Sequence, residues 1–161
     1  DMEPERALIV FGTGERSARD ATANREIAER LQYAIARRFG NYHIPLKTDR
    51  EVTDEDLKSQ HLLVVGEPLT NSLLRRAAEK SPVRFSTQSF VVRGETYADH
   101  DSAVIVASEN PWNPRFSVVT FAGLSARATH RIVDSLSPEE ETSPQIVLFS
   151  ARRTTQRFVA R

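Results

Sequence analysis

Ala7-Leu8-Ile9-Val10-Phe11-Gly12-Thr13-Gly14 joins five consecutive apolar residues to a glycine-bracketed threonine. A run that short, β-branched at its centre and apolar throughout, predicts a strand buried on both faces, as in a sheet covered by helices. The pattern returns three times: Leu62–Val65 runs into Gly66-Glu67-Pro68-Leu69-Thr70-Asn71, Ala103–Ala107 into Ser108-Glu109-Asn110-Pro111-Trp112-Asn113-Pro114, and Ser117–Phe121 into Ala122-Gly123-Leu124-Ser125. At three of the four ends a helix is expected to follow. Repeated strand, loop and helix predict an α/β fold with a three-layer, mainly parallel sheet, flavodoxin-like or Rossmann-like, and an inserted β-hairpin. Ligands in open sheets of this kind sit at the carboxyl ends of strands, so the four loops read as one edge with one site.

Between these strands the periodicity changes. Ala21–Phe39 carries Ile27, Leu31, Ala34, Ile35 and Phe39 at helical spacing and meets Gly40 as a stop. His43–Lys47 contains Pro45 and is expected as a parallel edge strand. Thr53-Asp54-Glu55-Asp56 has the form of a capping box with Asp in the third place, opening a short helix through Lys58. Asn71 is expected to cap a helix over Ser72–Lys80. Phe90-Val91-Val92, Arg93-Gly94-Glu95 and Thr96-Tyr97 read as the hairpin. Ala126–Leu136 reads as a helix, Ser137–Pro144 as an acidic loop and Gln145–Phe149 as a last strand. Arg152, Arg153, Arg157 and Arg161 make the remaining segment basic, read as a solvated tail.

At 161 residues the chain fits a single α/β domain spanning 1–161. Lys plus Arg and Asp plus Glu are both 22, so no global positive field draws in a phosphate backbone and nucleic acid is not an expected partner. No apolar run approaches the ~20 residues of a membrane span, so no membrane is expected either. The absence of cysteine removes thiol catalysis and Cys-based zinc sites. It also suits an extracellular or periplasmic protein. The start Asp1-Met2-Glu3-Pro4 carries no signal-peptide pattern and reads as a piece of a longer protein.

The candidate site residues come from the loops. Gly12-Thr13-Gly14 lies where a βα turn brings backbone N–H groups to a phosphate, but a full G-x-G-x-x-G needs glycine at position 17, where Ser17 stands. Thr13, Gly14, Ser17 and Asn71 are the set that would hold a flavin or nucleotide. The plainer alternative is a βα loop with Thr22 or Asp20 as helix N-cap. Gly123-Leu124-Ser125-Ala126-Arg127 has the outline of a nucleophile elbow. Arg127 replaces its last glycine, and His130 lies one turn along the same helix, so Ser125 reads as a cap that stays among the ligand-edge residues. His43, His61, His100 and His130 lack metal-ligand spacing, and Asp99-His100-Asp101 reads as a polar turn. In Asn110-Pro111-Trp112-Asn113-Pro114-Arg115, two Asn-Pro steps hold the sole tryptophan and an arginine against helix formation. Asn110, Trp112, Asn113 and Arg115 therefore read as a pocket wall or partner surface, with a Trp that packs back over the core as the alternative. No residue is assigned catalysis, and neither metal nor cofactor is expected.

Taken in order, several of these motifs resemble a C-terminal domain of secreted bacterial α/β-hydrolase or peptidase-type proteins. They are Phe11-Gly12-Thr13, Ala23-Asn24-Arg25-Glu26, Ile44-Pro45 with Thr48-Asp49-Arg50-Glu51-Val52-Thr53-Asp54, Leu63 through Asn71, Asn110-Pro111 with Asn113-Pro114-Arg115, and Ala122-Gly123. The resemblance runs roughly from Ala7 to Arg131. Where that family has Gly-Gly-Pro or Gly-Thr-Pro after the third strand, this chain has Gly66-Glu67-Pro68. The resemblance implies a non-catalytic accessory domain whose partner is the catalytic domain of its parent chain, with a small anionic ligand as a second candidate partner. It carries no catalytic residue onto these positions. A flavin- or nucleotide-binding enzyme domain and a structural cell-surface module are the alternatives.

Overall fold

Every residue of Ala7–Phe11 is buried, and the strand it forms lies inside a seven-stranded sheet. The structure, a computed structural model, describes residues 6–14, 18–38, 40–66, 72–77, 81–86, 88–134, 146–150 and 153–158. In chain order the elements are β1 (Ala7–Phe11), α1 (Ala18–Arg38), β2 (Leu46–Thr48), α2 (Asp54–Ser59), β3 (His61–Val65), α3 (Ser72–Ala77), β4 (Arg84–Phe85), β5 (Phe90–Val92), β6 (Glu95–Tyr97), β7 (Ala103–Glu109), β8 (Ser117–Gly123), α4 (Ala126–Asp134), β9 (Ile146–Ser150) and β10 (Arg153–Phe158). The large sheet has the order β10-β9-β7-β8-β3-β1-β2, and a small separate sheet has the order β4-β5-β6. β1 pairs in parallel with β2 and β3, and β3 in parallel with β8. β7 runs antiparallel to both β8 and β9, and β10 antiparallel to β9. The fold is α/β on a mixed sheet in which β2, β1, β3, β8 and β9 share a direction that β7 and β10 oppose.

Successive strand residues point to opposite faces, and the core divides accordingly. Leu8 and Val10 of β1 and Leu62 and Val64 of β3 join one cluster, with Leu57 of α2, Leu73 and Ala77 of α3, and Phe90 and Val92 of β5. Ile9, Phe11, Leu63 and Val65 join the other, with Ile27, Ala28 and Leu31 of α1 and Ala128 and Ile132 of α4. Burying side chains the size of Ile27 and Leu31 contributes about 2 kcal/mol each, which makes this apolar stripe the main reason α1 docks. The expected hairpin is the β5–β6 part of the small sheet. Arg93 and Gly94, both at positive φ, form its two-residue turn, the combination a type I′ connection requires. Phe90 stacks on Tyr97 at 5.5 Å between centroids, so the sheet presents a buried aromatic to the core beside α3.

Several local signals are realised as written. Gly40 has φ 64°, and the Asn41 N–H donates to the Ala36 carbonyl at 2.7 Å, the hydrogen bond of a Schellman ending to α1. At α2 the Thr53 hydroxyl accepts the Asp56 N–H at 3.1 Å while the Asp56 carboxylate accepts the Thr53 N–H at 3.0 Å. Lys47 of β2 also reaches this carboxylate, at 2.7 Å, and ties the edge strand to the helix. Burial raises the Asp56 pKa, but the Lys47 contact and the hydrogen bonding with Thr53 outweigh it and leave the carboxyl below its ordinary range.

Three expectations are corrected. α1 begins at Ala18, so Thr22 and Asp20 lie inside the helix and neither is its cap. Residues 153–158 of the basic segment are not a solvated tail but pair with β9 as an edge strand, with a register shift between Arg153 and Gln156. The third correction concerns β7. Its antiparallel pairing carries the loop after it to the opposite edge of the sheet from the loops after β1, β3 and β8. The acidic loop expected at 137–144 lies outside the described residues.

Candidate functional site

Parallel pairing brings the carboxyl ends of β2, β1, β3 and β8 to one edge in that order. The ladder continues past the strands there. Asp49 N–H donates to the Phe11 carbonyl at 3.0 Å, Gly12 N–H to Val65 at 3.2 Å and Gly66 N–H to Phe121 at 3.2 Å. Asn24, buried on α1, donates its side-chain amide to the Gly12 carbonyl at 3.0 Å and pins the first loop from behind.

Asp49 is the hub of this edge. Its Oδ1 accepts the Thr13 N–H at 3.1 Å and the Thr13 hydroxyl at 2.6 Å, and its Oδ2 accepts the N–H and hydroxyl of Ser72, both at 3.0 Å. One carboxylate thus joins the loop after β1, its own loop after β2 and the first residue of α3. Burial raises its pKa, but the bonds from Thr13 and Ser72 outweigh that and hold it below the ordinary aspartate value. Asp49 is therefore an anion at neutral pH, seated on donors of the kind that a bound oxyanion uses.

Farther along the same edge, Ser125 caps α4. Its hydroxyl donates to the His100 carbonyl at 2.8 Å and accepts the Ala128 N–H at 3.1 Å. Leu124 N–H donates to the Ser102 carbonyl at 3.0 Å, so the 99–102 turn lies over the end of β8. Asp99 closes that turn through the Asp101 N–H at 2.9 Å, in agreement with a polar turn at Asp99-His100-Asp101. Ser125 and Asp49 lie on loops of strands three spacings apart, roughly 14 Å. A Cβ on Gly123 would stand 2.5 Å from the Thr129 backbone nitrogen, 2.6 Å from its hydroxyl and 3.0 Å from the Ala128 carbonyl carbon. Gly123→Ala is expected to lower stability by about 2 kcal/mol, read from the urea midpoint. Adding Thr129→Ala should restore little, because the nearest obstacle is backbone.

At the opposite edge the Asn110–Arg115 loop is a fastening for α2. Asn110 is fully buried; its amide donates to the Leu57 carbonyl at 2.8 Å and the Gln60 carbonyl at 3.2 Å. Its oxygen accepts the N–H groups of Trp112 at 2.8 Å and Asn113 at 3.3 Å. Asn113 donates to the Lys58 carbonyl at 2.7 Å and accepts the Arg115 N–H at 3.1 Å. Trp112 packs against the core with the Arg76 guanidinium 5.1 Å from its ring centroid. Arg115 is exposed.

The sequence-derived candidates therefore divide. Thr13, Gly14 and Ser125 lie at the carboxyl edge, whereas Asn110, Trp112, Asn113 and Arg115 lie across the sheet, too far away to share one small ligand. Ser17 and Asn71 lie outside the described residues. The residues that organise the first edge, Asp49 and Ser72, were not among the candidates. The one available signal was an acidic residue directly after an edge strand. No group of acidic and histidine side chains among the described residues is arranged to hold a metal. No protein-family profile matches this chain, and no curated protein sequence does either.

Proposed function

We propose that the chain is a non-catalytic accessory domain of a larger, exported hydrolase-like protein, with a flavodoxin-like or Rossmann-like three-layer design. It acts by positioning: the carboxyl edge of the sheet packs against the catalytic domain of the parent or holds a small ligand. The observation that carries this reading is the Asp49 carboxylate, which takes both donors of Thr13 and both of Ser72. A phosphate at the Gly12–Gly14 turn would have to displace that carboxylate and sit beside its charge, so the same observation weighs against a flavin or nucleotide. Ser125 supports the reading too, since its hydroxyl is spent on a carbonyl and a cap.

The test uses the purified chain and its parent. Titration with FMN should give no saturable quenching, and chromogenic esters and peptides should not turn over above buffer. Joined to the preceding parent segment, the chain should raise that segment's thermal midpoint. Turnover by the isolated chain that disappears in Ser125→Ala would overturn the proposal, as would stoichiometric FMN binding.

A further inference from the structure

His61 opens β3 beside Ser117, the first residue of β8, one step before the Leu62–Val118 pair. Its Nδ1 accepts the Ser117 backbone N–H at 3.0 Å and lies 3.0 Å from the Ser117 hydroxyl. An N–H can donate only to an unprotonated ring nitrogen, so the imidazole is neutral with its proton on Nε2. The ring also meets Phe116 edge-on, with centroids 5.1 Å apart. Phe116 is the root of the Asn110–Arg115 loop: its carbonyl accepts the Asn110 N–H at 3.0 Å, and its own N–H donates to Asn113 at 3.1 Å. One neutral imidazole therefore holds the point where the loop re-enters the sheet.

We propose that His61 is a proton-sensitive latch for this loop. When Nδ1 takes a proton from solvent it becomes a donor that the Ser117 hydroxyl can accept, the Ser117 backbone N–H loses its acceptor, and the root of the 110–116 loop loosens from β3. Charged residues neighbour its position in sequence or register on each adjoining element. Arg6 precedes Ala7, the register partner of His61 on β1; Lys58 and Asp56 lie on α2; Glu109 of β7 is the partner of Ser117; Arg115 lies in the loop. Asp56 pairs with Lys47. The latch lies on the edge opposite Asp49 and is independent of the accessory-domain reading.

Trp112 is the sole tryptophan, so its emission reports this loop alone. Between pH 7.5 and 5 the wild-type emission should move reversibly to longer wavelength. In His61→Asn, whose amide oxygen can replace Nδ1 as acceptor without titrating, it should stay flat. A flat wild-type curve, or the same shift in His61→Asn, overturns the latch. Imidazole ¹⁵N shifts of the wild-type protein at pH 7.5 give a test that needs no variant: an unprotonated Nδ1 is expected, and a protonated one overturns the proposal.

Discussion

Asn110→Ala lowers the stability of the protein by about 4 kcal/mol, measured by urea unfolding followed through Trp112 emission. The side chain makes four hydrogen bonds from a fully buried position, two as donor to the last carbonyls of α2 and its C-cap and two as acceptor within its own loop. At about 1 kcal/mol for each bond the sum reaches that figure, and buried carbonyls left without a donor keep it from being smaller. Asn110→Asp separates the two halves of the role. It retains both acceptor bonds but cannot donate to Leu57 and Gln60, and it sets a negative charge against their carbonyl oxygens. It should cost at least as much as alanine. If aspartate were tolerated, the bonds to α2 would not be what holds the loop.

Asp49→Ala comes next, at about 3 kcal/mol. Hydrogen bonds to a charged acceptor contribute ~1.5–3 kcal/mol each when buried, but the site is partly exposed and water can replace the carboxylate, so the total falls well below four such bonds. Asp49→Asn tests the charge itself, because the amide keeps the shape while its NH₂ faces donors of Thr13 or Ser72. The sign of the pH dependence follows from the depressed folded-state pKa. A carboxyl held below its unfolded value of ~3.9 contributes its full stabilisation above that value and loses it as pH falls through the folded pKa. The gap in urea midpoint between wild type and Asp49→Asn should therefore be constant from pH 7 to about 5 and narrow progressively as pH falls below about 4. A gap that does not narrow with acidification would mean the charge is not what joins the three loops.

The legible features and the hidden ones differ in range. Gly40 ends α1, Thr53 and Asp56 box the start of α2, and Arg93-Gly94 turns the small hairpin. Each is decided by residues within a few positions of one another, so local reading finds it. The all-apolar Ala7–Phe11 run likewise announces a strand with both faces covered. Trp112 and its two asparagines were visible as an unusual loop, but their partners Leu57 and Lys58 lie more than fifty positions away. What looked like a ligand wall is in the structure an attachment to α2.

The sequence by itself determined the alternation of buried strands with helices and the local signals at Gly40, at Thr53 with Asp56 and at Arg93-Gly94. All of these follow from apolar spacing and backbone preference along the chain. Only the tertiary structure decided the direction of β7, because an apolar strand reads the same whichever way it runs and its direction is set by the strands it joins. That direction divides the expected single edge into two. The role of Asp49 was equally a matter of folding, since its donors are 36 and 23 residues away in sequence and meet it only when three βα loops converge.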